Sequence, residues 1–153
     1  MELDRYDLQI LRQLQDNGRL SNQELADRIG LSPSPCLRRV RALEDAGIIG
    51  GYRAVLDAKT LGLNLTALVH ISMDKHTPER FEGFEKVIRN IPEVLECLLI
   101  TGQAADYQLK VVVPDMDAYQ DLLLKHITRI AGVTGVHSSF VLRRVVDKTA
   151  LPL

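Results

Sequence analysis

One short segment narrows the possible folds more than any other. "LSNQELADRIG", residues 20–30, opens with Ser21 three positions before Glu24, an S-x-x-E capping box, with Leu20 and Leu25 in the flanking staple positions. Gly30 directly follows Ile29, so the helix is short. A second helix start comes almost at once, in "SPSPCLRRVRALEDAG", residues 32–47. Ser34 as N-cap with Pro35 at the first helical position is one start, and Ser32 with Pro33 is a competing one. The sequence does not choose between them, and either helix ends at Gly47.

A first helix precedes this pair. Leu3, Tyr6, Ile10, Leu11 and Leu14 share one face at helical spacing, and "DNG" at 16–18 ends the run, with Gly18 suited to a left-handed cap. Helix, short helix, tight turn, helix is the order of a helix-turn-helix unit. "IIGGYRAVLD" then reads as a short strand or ribbon, and "AKTLGLN" as a connector.

Past the connector, strand and helix alternate. "LTALVHISM" sets Ala67, Val69, Ile71 and Met73 on one face. "TPERFEGFEKVIRNI" starts on Thr77 and Pro78 and gathers Phe81, Phe84, Val87, Ile88 and Ile91 on one side. "EVLECLLIT" and "YQLKVVV" are strands about the turn "GQAAD", a helix capped by Asp115 follows, and "GVTGVHSSFVLRRVV" holds a final strand. The order β-α-β-β-α-β is the split βαβ arrangement, an antiparallel sheet with helices on one face. Its other face, on strands rich in Val, Leu and Ile, is expected to meet another subunit.

Charge matters locally and not globally. The net charge is −1, which draws the chain to neither nucleic acid nor membrane. Yet Arg28 to Leu43 carries four arginines and no acid, while the first helix is acidic. At about 100° per residue, Cys36, Val40 and Leu43 form the inner stripe of the third helix. Ser34, Arg38, Arg41 and Asp45 face the other way, and Arg39 leaves from a flank. A solvated charged face is the plainer reading. The capped short helix, tight turn and oriented arginines together favour DNA. The second helix of such a motif enters the major groove by its N-terminal part, where arginine pairs with guanine O6 and N7. Ser34, Arg38 and Arg41 suit that role, and Ser32 and Arg39 suit phosphates.

Several classes fall away. Cys36 and Cys97 stand 61 residues apart with no CxxC, so neither a disulfide framework nor a metal site is expected. His70, His76, His126 and His137 show no catalytic or metal-ligand spacing, and no phosphate-binding glycine motif is present. The expectation is a protein with no cofactor and no enzymatic activity. "MELDRYDLQ" has acids where a signal peptide needs basic and then apolar residues, and no run is long enough to span a membrane. A cytoplasmic protein is expected.

Residues 3–49 resemble the DNA-binding half of the leucine-responsive/asparagine-responsive (Lrp/AsnC) regulators. "LSPSPCLRRVRALEDAGII" carries the likeness most specifically. "PEVLECLLITGQAADYQLKV" is similar to the family's effector-binding domain, and "TALPL" to the tail of its Lrp-like branch. The resemblance implies an α+β chain. A winged helix-turn-helix domain would occupy 1–56, a linker 57–63, and a ferredoxin-like effector-binding and oligomerisation domain 64–153. It also implies partners: double-stranded DNA, a small effector such as an amino acid, and a homodimer assembling further, to an octamer.

The resemblance places that effector where dimers meet, at the turn "TGQAADY", on Gly102, Gln103, Ala104 and Asp106. Gly102 lets backbone approach a ligand closely, and Asp106 suits an α-ammonium group. His137 and Ser138, on the last strand, add polar contacts. The turn is one residue longer than the family's "G-x-x-D-Y", and its two alanines favour a large or apolar ligand side chain.

Overall fold

The computed structural model describes residues 2–102 and 105–153. It divides into two compact units. One runs to Val55 and takes in Val146–Leu153, and the other is Leu56–Val145. The last eight residues, expected with the second domain, thus belong with the first helices.

In the helical unit, α1 spans Arg5–Asp16, α2 Asn22–Ile29 and α3 Pro33–Asp45. Both α1 and α2 start on reciprocal capping boxes. Asp4 and Asp7 exchange side-chain and backbone bonds of 3.0 Å each way, and Ser21 and Glu24 do so at 3.2 and 2.8 Å. Each box satisfies backbone N–H groups that the helix itself cannot. Gly30 closes α2 in the left-handed conformation at φ 70°, where a side chain is disfavoured. The competition at the start of α3 goes to Ser32 and Pro33. Ser32 caps by backbone geometry alone, without a side-chain bond.

Two local expectations are corrected. Gly18 is not the left-handed cap of α1, because Asn17 ends the helix in an extended conformation at φ −145°. "IIGGYRAVLD" forms no strand, since residues 50–57 are exposed and no strand of this unit lies alongside to pair with them.

Ile10, Leu11, Leu25, Ala26, Ile29, Cys36 and Leu43 form the core of this unit. The end of the chain is tied to α1. The Gln15 side-chain amide donates to the Leu151 carbonyl (3.2 Å) and accepts from its N–H (2.6 Å), and Arg12 Nε donates to the Leu153 carbonyl (3.0 Å).

The second unit comprises β1 (Leu65–Met73), α4 (Pro78–Ile88), β2 (Val94–Leu99), β3 (Tyr107–Val113), α5 (Met116–Lys125) and β4 (Val133–Phe140). The sheet is antiparallel in the order β2-β3-β1-β4, the ferredoxin-like arrangement. Strict alternation along β1 turns Ala67, Val69, Ile71 and Met73 inward onto Phe84 and Ile88 of α4 and Tyr119 and Leu122 of α5. α5 is shorter than its apolar pattern suggests. It breaks at His126 (φ −122°, ψ −66°) and passes through a 3-10 turn, Ile127–Arg129.

Alternation also decides the character of the open sheet face. Register sets Leu98, Gln108, His70 and His137 in one row across it, and Glu96, Lys110, Leu68 and Ser139 in the next. That face is mixed, not the apolar surface that the Val, Leu and Ile content suggests. Most of the branched residues are spent on the helix side, although Leu68, Leu98 and Val112 are not. No helix among the described residues is long and apolar enough to cross a membrane.

Candidate DNA interface and effector site

The outward face of α3 is a shallow groove lined by Ser34, Leu37, Arg38, Arg41, Ala42 and Asp45. Burying Cys36 and Leu43 completely fixes the roll of the helix and turns the two arginines to solvent. Among the described residues, neither Arg38 nor Arg41 makes a hydrogen bond or ion pair within the protein. Two cations held on a helix without internal partners suit an external anion or a base edge. Ser34 lies in their row, and the Ser32 hydroxyl stands at the helix start without a capping bond.

Arg39 behaves differently. Its Nη1 sits 2.8 Å from both Asp4 and Asp7, and its guanidinium stacks 5.5 Å from the centre of the Tyr6 ring. Asp7, then Asp4, holds the guanidinium protonated even more firmly than usual. The backbone N–H of Asp7, with help from Arg39, keeps the Asp4 carboxyl below its ordinary range. This arginine therefore fastens α3 to the start of α1. The D-x-x-D spacing ahead of an apolar run is the signal for that anchor.

Asp7 is the one buried charged residue of the unit among those described, at 4% exposure. Asp7→Ala removes one of the two carboxylates on Arg39 and the acceptor of the Asp4 N–H. The expected loss is about 1–3 kcal/mol, the cost of leaving such partners unsatisfied, read as a lower urea midpoint.

At one end of the sheet, Asp106 is tied on every side. Its backbone closes the turn, with Ile100 N–H on its carbonyl (2.9 Å) and its own N–H on the Ile71 carbonyl (2.8 Å). Carboxylate Oδ2 accepts the Met73 N–H at 2.7 Å. Oδ1 lies 2.8 Å from Nε2 of His76, a well-exposed side chain. One oxygen is thus committed to the fold, and the other meets a partner able to swing aside. Sequence reasoning missed His76, because nothing local links it to a residue thirty positions away.

Gly102 adopts φ +153°, with open space where a side chain would be. Gln103 and Ala104, expected on the same turn, lie outside the described residues. Tyr107 is buried and donates from its hydroxyl to Glu85 of α4 at 2.9 Å, pinning the first residue of β3. His137 and Ser138 are successive residues of β4 and face opposite ways. His137 stands opposite His70 on the open face, while Ser138 bonds to the Tyr119 hydroxyl on the helix side. They do not line one surface together, and among the described residues neither bonds to Asp106. The described residues hold no group of three or more potential metal ligands.

Residues 66–151 match the family model described as the Lrp/AsnC ligand binding domain, and residues 3–49 match a winged helix-turn-helix DNA-binding model. The chain belongs to the Lrp/AsnC family of transcriptional regulators. Among its relatives is the Bkd operon transcriptional regulator of Pseudomonas aeruginosa, 47% identical over 99% of both chains. The leucine-responsive regulatory protein of Escherichia coli K12 is 43% identical, over 98% of this chain and 91% of its own. A Neisseria meningitidis transcriptional regulator, solved as its L-Met complex, superposes with a TM-score of 0.94 at 43% identity, covering 99% of this chain and 97% of that one. As an Lrp/AsnC regulator, the chain has a DNA-binding helix-turn-helix and a ligand-binding domain of α+β, ferredoxin-like build.

Proposed function

We propose that this regulator binds a pseudo-palindromic DNA site as a homodimer and answers to an apolar amino acid. Arg38 and Arg41 of each α3, with Ser34 in their row, read base edges, and Ser32 contacts the backbone. Arg39 is left out of that set, because Asp4 and Asp7 already take its charge. The single observation that carries the DNA-reading half is the pair of unpartnered arginines on the outward face of α3. Two-fold symmetry of the protein then demands matching half-sites about one helical turn apart.

The amino acid occupies the turn that Asp106 closes, where two dimers meet. Its ammonium group replaces His76 at Oδ1, and the Gly102 backbone leaves room for its carboxylate. His137 adds a contact from the open sheet face. The Ser138 hydroxyl, turned to the helix side, supports Tyr119. The choice of an apolar amino acid draws on the L-Met complex of the Neisseria relative and the leucine-responsive name of the Escherichia relatives. Dimers assemble further, to an octamer, and ligand binding shifts that assembly or the spacing of the recognition helices. Such an effect is a coupling free energy of about 1–3 kcal/mol. The role is binding and not turnover, carried out in the cytoplasm beside the DNA.

A thermal-shift series over the twenty amino acids tests the ligand class. A ligand at about 100 times its Kd stabilises the folded state by about 2.7 kcal/mol. L-methionine or L-leucine is expected to raise the Tm. No shift with any of the twenty at millimolar concentration removes the amino acid from this reading.

A further inference from the structure

Of the large apolar side chains on α1, α2 and α3, Leu37 alone is exposed, at 38%, among the described residues. Val40, three positions on, is half-buried against the core of the unit, and Cys36 and Leu43 are fully buried in it. Single exposed leucines are ordinary on protein surfaces. The place of this one is not. Leu37 lines the outward groove of α3 together with Ser34, Arg38 and Arg41.

We infer that Leu37 is a specificity-determining residue of the DNA-reading helix. Its side chain packs on the C5-methyl group of a thymine, next to the base that Arg41 reads. The inference rests on the proposed reading of base edges by α3 and adds to it a base that no arginine can select.

Three features support it. The first is adjacency. Leu37 and Arg41 are four positions apart on one helix, so their side chains are surface neighbours. Four residues of helix rise about 6 Å, and bases stack about 3.4 Å apart along a strand. The thymine therefore lies within about two base pairs of the base under Arg41. The second is position along α3. Leu37 is the fifth of thirteen residues, in the N-terminal part that enters the major groove, whereas Ala42, the other apolar residue of the groove, lies in the C-terminal half. The third is chemistry. In the major groove only thymine presents a methyl group, and the other bases present donors and acceptors there. Leucine has neither donor nor acceptor. Pressed on guanine, adenine or cytosine it would strip water from polar atoms and give nothing back, so it rejects those bases as well as accepting thymine.

Deoxyuridine isolates that contact, because it keeps the pairing and the O4 acceptor of thymine and lacks only the methyl group. The probe is a labelled duplex enriched from random sequence by the full-length protein. Each thymine of a half-site is exchanged in turn for deoxyuridine, together with its symmetry mate, and binding is followed by fluorescence anisotropy. At one thymine the exchange is expected to weaken wild-type binding about fourfold per half-site, the weight of one methyl group removed from water. Leu37→Ala is expected to bind the thymine duplex more weakly and to be indifferent to the exchange at that position. Leu37→Met, which restores the apolar reach, is expected to recover the sensitivity. A loss of stability would weaken binding to every duplex alike, so this position-specific readout is independent of it.

Wild-type binding that is unaffected by the exchange at every thymine overturns the inference. So does a sensitivity that is equal in Leu37→Ala and the wild type, since another side chain then meets the methyl group. The variant lacking Arg38 and Arg41 separates this failure from that of the proposed function. If it loses its preference for the enriched duplex while Leu37→Ala keeps the uracil sensitivity, α3 reads DNA and only the part given to Leu37 fails. If it keeps that preference, α3 does not read the site and both readings fall.

Discussion

Arg38→Ala combined with Arg41→Ala is expected to weaken binding to a specific duplex by at least about 30-fold and to leave the Tm unchanged. The size follows from about 1–3 kcal/mol for each base-reading arginine, or about 2–6 kcal/mol for two. The unchanged Tm follows from the structure, where neither side chain holds anything else. Fluorescence anisotropy against a labelled operator, repeated over a salt series, separates the possibilities. Loss of base readout removes the preference for operator over scrambled DNA. If the two arginines only neutralise phosphates, the slope of log K against log salt falls by about 0.9 per phosphate and the preference is kept. Should affinity and preference both survive, α3 does not read the site. Arg39 gives the contrasting result. Its alanine variant loses the tie to Asp4 and Asp7, so stability falls while the operator preference is retained.

Asp106 carries the second large effect, and two substitutions divide it. Asp106→Ala removes the acceptor of the Met73 N–H together with the charge facing His76. Both the amino-acid response and about 1–3 kcal/mol of stability in the ligand-binding unit are expected to go. Asp106→Asn keeps an oxygen for Met73 but no negative charge for an ammonium group. Near-normal stability with amino-acid binding weakened at least about tenfold is expected of it, since a charge-assisted bond is roughly twice as strong as a neutral one. Calorimetric titration of L-methionine, beside urea unfolding of each variant, gives both numbers. An Asn variant that binds as well as the wild type would confine Asp106 to closing the turn.

Much of this architecture is legible because its signals are local. The capping box at Ser21, Gly30 behind Ile29, and the alternation along β1 each act within a few residues, and each appears at the expected position. Legibility fails where two local signals compete or a partner is distant. Pro33 and Pro35 both fit the start of a helix, and only the packing of Cys36 and Leu43 settles the register. The strand expected around Tyr52 has β-like residues but nothing in its unit to pair with. Apolar content alone misleads about the open sheet face, because only register divides it between the two faces. At the candidate sites, the outward arginines follow from helical spacing alone. The capture of Arg39 by Asp4 and Asp7, and of Asp106 by His76, joins residues about thirty positions apart. The D-x-x-D spacing marks the acidic end of the first contact, but no local pattern names the distant partner in either.

The tail strapped to α1 sets an order of events during synthesis. The helical unit begins the chain, yet Gln15 and Arg12 wait for Leu151 and Leu153, which emerge only after residues 56–145. At about 5–20 residues per second, those intervening residues occupy the ribosome for roughly 5–20 s. Throughout that interval α1 lacks its strap, and the ligand-binding unit has time to fold first. A nascent regulator therefore finishes its DNA-reading half last, after the whole ligand-binding half has emerged.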